Sequence, residues 1–345
     1  SHQFKSPNIL ELRSGTISQA VEFQIDRAKS LVNKVRDIEI NINQHFIKLY
    51  DVCDVISSDT PLEQVTLDCN PYYSFGSDWN KANQEQNTNH IIQLISYFVG
   101  CVNGRFSLDK EGVIFAGAGN IGFKELVNDG VYKTFPADDD GIMPLASEEW
   151  LFEDDATTRF REFVKTVWGA EHIQENLEFV AESLCLNAIK PKKGESAMET
   201  IRRYFSTKFF EEHCKMYKKR PIYWLFSSGK EKAFECLVYL HRYNEATLSR
   251  MRTEYVTPLM GKYDHQLARK LEEVVEASGT EQRRIEREIK DLEKKQAELR
   301  KFDEELKHYA EMRISLDLDD GVKANYGKFG NLLANVKAIH GKAVK

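Results

Sequence analysis

The side chains in this sequence best placed to do chemistry are cationic. From Lys190 to Glu254, fifteen Lys and Arg stand against eight Asp and Glu, while the whole chain of 345 residues carries a net charge of −6. Within that segment Lys218, Lys219 and Arg220 directly precede the aromatic run Pro221 to Phe226, and Lys230, Lys232, Arg242, Arg250 and Arg252 follow it. Guanidinium and ammonium groups so placed contact phosphates, arginine can read guanine edges, and interleaved aromatic rings can stack on an unpaired base. These eight cations are the candidate nucleic-acid contacts, led by Arg220, Lys230, Arg250 and Arg252. From Asp138 to Asp155 there are eight acidic residues and no Lys or Arg. A map this uneven is what a one-sided polyanion-binding surface requires. Solvated helical proteins reach it too, with Trp224 and Phe226 in a core and the charges facing water.

Three other motifs offer chemistry on paper. Gly117-Ala118-Gly119-Asn120-Ile121-Gly122 fits a dinucleotide fingerprint, in which backbone amides and a helix N-terminus hold a pyrophosphate. Its context fails, because a helix could run only from Phe123 to about Asn128 before Asp129-Gly130, too short for a Rossmann crossover. Asn70-Pro71-Tyr72-Tyr73 resembles the N-P-P-Y with which adenine methyltransferases hold a flipped base. Tyr72 replaces the second proline and no glycine-rich cofactor loop lies upstream, so a tyrosine-rich loop is expected. Asp138-Asp139-Asp140 with Glu153-Asp154-Asp155 could bind a divalent ion, but lacks the lysine of a nuclease site, and a solvated acidic surface is expected. The cysteines at 53, 69, 101, 185, 214 and 236 form no C-x-x-C pair; the expectation is six reduced thiols, no metal site and a cytoplasmic protein.

Helices must position most of these residues. Apolar residues recur at helical spacing from Ile17 to Leu49, which predicts one long helix over about 17–56. Ser57 to Pro61 marks a turn, 62–90 is rich in Asn and Gln, and His90 to Val102 reads as a buried helix ending near Gly104. Loops with one or two small strands are expected over 113–144, and helices over 148–186. Lys190-Pro191-Lys192-Lys193-Gly194 reads as an exposed linker. Ser196 to Tyr217 is a helix opened by Ser196 and Glu199 as a capping box. Pro221 to Ser227 reads as a strand, with a helix resuming at about Lys230. From 262 to 312, Leu267, Leu271, Val274, Ile285, Ile289, Leu292, Leu299 and Leu306 follow a heptad seam broken at Ser278-Gly279-Thr280. An antiparallel hairpin is the simplest model, and a single dimerising helix the alternative. Ile314, Leu316 and Leu318 alternate before Asp319-Asp320-Gly321, predicting a β-hairpin and then a short terminal helix. The fold class is mainly α with small β elements.

This divides the chain into a helical spacer (1–60), a mixed α/β recognition region (61–261), a coiled-coil-like hairpin (262–313) and a C-terminal hairpin and helix (314–345). Hydrophobic residues make up 41% and charged residues 30%, enough for a sizeable core under a solvated surface. No run approaches the roughly 18 apolar residues of a membrane span. The start at Ser1-His2, without methionine, reads as a cleavage scar on a piece of a longer protein.

Several phrases resemble one family. Leu94-Ile95-Ser96-Tyr97 through Gly104-Arg105-Phe106-Ser107-Leu108-Asp109 is similar to a stretch that follows the methylase domain of BREX phage-exclusion methyltransferases. Thr134 to Ile142 and Trp150 to Ala156 are similar as well. So are Lys218 to Lys230, Leu237 to Asn244, Thr247 to Arg252 and Leu316 to Phe329. The resemblance runs from about residue 40 to the end. It implies the C-terminal part of an adenine-specific DNA methyltransferase, related to the methylases of combined restriction–modification enzymes. Members transfer a methyl group from S-adenosylmethionine to adenine in a short asymmetric site, marking host DNA. Their cofactor loop and N-P-P-Y lie in the N-terminal part, so no catalytic or cofactor-binding residue carries over to this chain. The implied partners are double-stranded DNA and the missing N-terminal methylase domain. Other BREX proteins, or a phage inhibitor that mimics DNA with carboxylates, could use the same surfaces.

The expectation is therefore a target-specificity module that binds DNA and is inactive alone. A docking scaffold with little DNA affinity is the rival, and a free-standing enzyme using the glycine loop is the third reading.

Overall fold

The computed structural model describes residues 5–76, 78–116, 122–218 and 220–334. In chain order the main elements are α1 (Ile17–Leu49), α2 (Pro71–Phe75), α3 (Trp79–Val102), α4 (Phe123–Asn128), β1 (Ile142–Pro144), α5 (Ala156–Trp168), α6 (Ile173–Asn187), α7 (Ala197–Tyr204), α8 (Phe210–Met216), β2 (Tyr223–Ser227), β3 (Glu235–Tyr239), α9 (Thr247–Arg250), α10 (Thr257–Glu276), α11 (Gly279–Glu311) and α12 (Val322–Gly327). Two π-helical turns, Phe205–Phe209 and Met251–Val256, join α7 to α8 and α9 to α10. The protein is thus mainly α with a small sheet. It forms two compact units, Ser1–Phe98 with Arg161–Ile201, and Val99–Phe160 with Arg202–Lys345.

In the first unit the Thr16 hydroxyl accepts from the Gln19 N–H at 3.2 Å, and the Gln19 side chain accepts from the Thr16 N–H at 3.0 Å. This reciprocal cap satisfies two donors at the start of α1. Ile17, Ala20, Val21, Gln24, Ala28 and Val32 face inward, a 3–4 spacing that sets one stripe against the core. The Ile17 N–H donates to Asn176 of α6 at 2.7 Å, and Thr88 of α3 donates to the Ser183 carbonyl at 2.8 Å. From Asn33 onward α1 buries no residue, and Ile38, Ile42, Phe46 and Leu49 are about half exposed. The helix ends at Leu49, short of the expected 56. Helix α3 begins well before His90, because the Asn/Gln run supplies a polar helical face that carries little hydrophobic periodicity.

The second unit is built on an antiparallel sheet of order β1-β3-β2, with Trp224 opposite Val238 and Met143 opposite Leu237. Strand β3 stands where a helix was expected near Lys230. Its run Cys236-Leu237-Val238-Tyr239 is buried on both faces, and a continuous apolar run of that length does not distinguish strand from helix. Tyr326 and Phe329 lie edge-on to Trp224 at 5.2 and 5.8 Å between ring centroids, which closes one face of the sheet. The tail adds α12 and a single bridge from Leu333 to Phe226 in place of the expected β-hairpin; the terminal helix expected beyond falls outside the described residues. Helices α10 and α11 form the antiparallel hairpin, tied across by Lys270–Glu288 at 3.0 Å and Gln296–Asp264 at 2.6 Å.

Candidate nucleic-acid interface

All described basic candidates sit in the second unit, and the local fold separates them into two kinds. Lys218 and Arg220 occupy the turn between α8 and β2. That turn is held by backbone bonds from the Lys218 N–H to the Lys215 carbonyl (3.1 Å) and from the Arg220 N–H to the Tyr217 carbonyl (2.9 Å). Lys218 takes a left-handed φ of 49°, which an L side chain adopts only when its surroundings hold it there. The holding group is His213. Its Nε2 accepts from the N–H groups of Ile222 and Tyr223 at 3.1 and 3.2 Å, while its ring packs against Tyr217 and Tyr223. Burial, reinforced by Arg105, pushes the His213 pKa down to about 3, so the ring stays the neutral acceptor this geometry needs. Nothing in the sequence marks His213 for the role, since its partners lie nine and ten residues on.

Lys230 stands in the turn between β2 and β3. Here Glu298 of α11 acts as a clamp. Its carboxylate accepts from the Ser228 hydroxyl (2.7 Å) and from the N–H groups of Glu231 (2.7 Å) and Ala233 (3.2 Å). Gly229, at φ 137°, lies so close that a Cβ would meet the Glu298 carboxylate at 2.9 Å. Lys232 in the same turn is occupied by the Ser206 carbonyl at 2.6 Å and Glu235 at 3.1 Å. Lys218, Arg220 and Lys230 are exposed and make no ion pair or side-chain hydrogen bond among the described residues. The two turns lie at opposite ends of β2, whose five residues separate them by roughly 13 Å. Lys219 lies outside the described residues.

The remaining arginines are held within the fold. Arg242 is buried, donates to the carbonyls of Asp138 and Asp139, and lies 3.6 Å from the centroid of the Phe123 ring. Arg250 forms a bidentate pair with Glu254 at 2.9 and 3.0 Å, and Arg252 one with Asp303 at 2.8 and 2.9 Å. Of the eight candidates, the structure therefore places Arg242 in the interior and the side chains of Arg250 and Arg252 in carboxylate forks.

The acidic run is also more internal than a solvated surface. Asp140 and Asp155 are buried. Asp140 accepts from the Ile142 N–H and the Tyr255 hydroxyl, both at 2.8 Å, and so fixes the entry to β1. Asp155 caps α5 through Thr158 and pairs with buried Arg202. Burial, with Asp140 beside it, pushes Asp138 up to about 7, partly offset by Arg242. No group of three or more His, Cys, Asp or Glu side chains able to hold a metal ion occurs among the described residues. In Asn70-Pro71-Tyr72-Tyr73, Asn70 is fully buried. Its amide donates to the carbonyls of Leu62 and Val65, and its oxygen caps α2 at the Tyr72 N–H. Its side chain is occupied as a loop anchor. Gly117 to Ile121 of the glycine motif lie outside the described residues, while α4 occupies the short span from Phe123 to Asn128. No helix among the described residues is long and apolar enough to cross a membrane.

Fold and site together define a mainly helical protein whose small sheet presents unpaired cations at both ends of one strand. No protein-family model matches the chain. The adenine-specific methyltransferase BrxX of Escherichia coli O9:H4 (strain HS) is 56% identical over 345 residues, covering 99% of this chain and 28% of that protein. The adenine-specific methyltransferase PglX of Lacticaseibacillus casei (strain Zhang) is 35% identical over 320 residues, 92% of this chain and 24% of that protein. The resemblance to the BREX adenine-specific methyltransferases thus holds across nearly the entire chain, as a resemblance to one part of them. The chain spans about a quarter of the length of these relatives.

Proposed function

We propose that this chain is the DNA-contacting, target-specifying part of an adenine-specific, S-adenosylmethionine-dependent DNA methyltransferase of a phage-exclusion system, acting in the cytoplasm and joined to a separate methylase domain. The observation that carries the reading is the set of exposed, unpaired cations Lys218, Arg220 and Lys230 at the two ends of β2. Cations already paired with carboxylates would have to break those pairs to reach phosphate, whereas these three need only shed water. Positively charged groups held on turns at the ends of a rigid strand can follow a duplex backbone, and phosphate contacts fix register before any base is read. The test is a titration of the protein with duplex DNA at low and moderate salt, with S-adenosylmethionine binding followed alongside. Affinity that falls steeply with salt, because bound counterions are released, supports the reading, and salt-independent or absent binding contradicts it.

A second reading, a docking scaffold for other defence proteins, is favoured by one observation. The outer half of α1 leaves Ile38, Ile42, Phe46 and Leu49 about half exposed along one stripe. Absent DNA binding at low salt would move weight to this reading.

A further inference from the structure

Within the first unit, α1 and α3 flank a cleft of about 390 Å³, closed on one side by Leu62, Pro71 and Tyr72. That volume lies in the range of small-ligand sites. Its walls are mixed in a particular way. Ile25 and Val32 of α1, with Leu62 and Pro71, give apolar surfaces, and none of the residues lining the cleft is acidic. Asn83 and Gln86 line it from α3, one helical turn apart and so on one face. The Oδ1 of Asn83 and the Oε1 of Gln86 are buried and find no hydrogen-bond partner within the protein. Asn70 in the same wall is the contrast, with its amide bonded to two carbonyls and its oxygen capping α2. Buried amide oxygens left without donors are costly, and native proteins rarely keep two on one face without a ligand or water to meet them.

We propose that this cleft binds a nucleobase, taken up as a nucleoside monophosphate. Amide side chains pair with base edges because they offer a donor and an acceptor side by side, as the adjacent N–H and ring nitrogen of a base do. Asn83 and Gln86 meet the edge, the apolar side chains of α1 and the Leu62–Pro71 wall cover the ring faces, and exposed Lys29 supplies a cation for the phosphate. The absence of carboxylates from the lining favours an anionic ligand over an amine. The site stands independently of DNA contact by the second unit.

The test is a calorimetric or NMR titration of the full 345-residue protein with adenosine 5′-monophosphate, with ribose 5-phosphate as the control that keeps the charge and removes the base. Saturable binding of the nucleotide but not of ribose 5-phosphate is expected, and Asn83→Leu and Gln86→Leu should each weaken it by about tenfold or more. Both variants should melt at or above the wild-type temperature, because each replaces an unpartnered buried amide with an apolar group of similar shape. No nucleotide binding at millimolar concentration, equal binding of ribose 5-phosphate, or unchanged affinity in the two variants would overturn the proposal. If one variant does not fold, the other and the wild-type pair of titrations decide.

Discussion

The arginines carried on and beside the helices of the second unit and the cations carried on its strand turns come from one basic stretch of sequence, yet the fold uses them differently. Arg242, Arg250 and Arg252 each meet carbonyls or a carboxylate of the same unit, and Arg202 is buried against Asp155. Lys218, Arg220 and Lys230 meet none among the described residues. A helix packed among acidic neighbours satisfies its cations internally. A turn projecting from a buried strand has no such neighbours, and its charges face outward. Net charge along a sequence therefore overstates the surface open to a polyanion.

Four substitutions sharpen or break this contrast. Arg242→Ala removes a buried guanidinium from two carbonyls and from the Phe123 ring. It should cost about 3 kcal/mol in urea unfolding, with DNA affinity unchanged under conditions where the variant is folded. A loss of affinity without a loss of stability would erase the distinction. Asp138→Asn tests the buried acidic turn. The Asp138 pKa is raised in the folded state to about 7, so the folded protein holds a proton that the unfolded chain has released above about pH 4. Stability from this group is full below the unfolded pKa and declines as pH rises to about 7. The variant should match wild type near pH 4 and exceed it by on the order of 2 kcal/mol above pH 7, read from melting curves across that range. Arg252→Ala breaks a partly exposed fork with Asp303 and should cost about 1 kcal/mol or less, with little change in DNA binding; a marked loss of binding would return Arg252 to the interface. Combined alanine substitution of Lys218, Arg220 and Lys230 should change stability by less than about 0.5 kcal/mol, as thermal melting would show.

Much of the fold was legible because periodicity reports burial. The α1 stripe, the Ser196–Glu199 cap (Ser196 N–H to Glu199 Oε2 at 2.7 Å) and the α10–α11 hairpin all follow from local spacing. Strand β3 was not legible, since a strand buried on both faces loses the alternation that identifies it. The start of α3 was missed because amide side chains dilute hydrophobic rhythm. The two units are discontinuous in sequence, and no local pattern encodes which distant segments pack together. The candidate cations were visible in the sequence, but their partners were not. Asp303 lies 51 residues from Arg252 and Glu298 lies 70 from Ser228, and contacts at such separations leave no spacing signal.

The central claim is that the unpaired cations flanking β2 grip DNA. It is tested most directly by measuring the salt dependence of duplex binding for wild type and for the combined Lys218, Arg220 and Lys230 alanine variant. If the claim holds, wild-type affinity falls linearly on a double-logarithmic salt plot, and the variant binds more weakly with a slope shallower by about 0.9 for each phosphate contact removed. Equal affinities and equal slopes for the two proteins would contradict it.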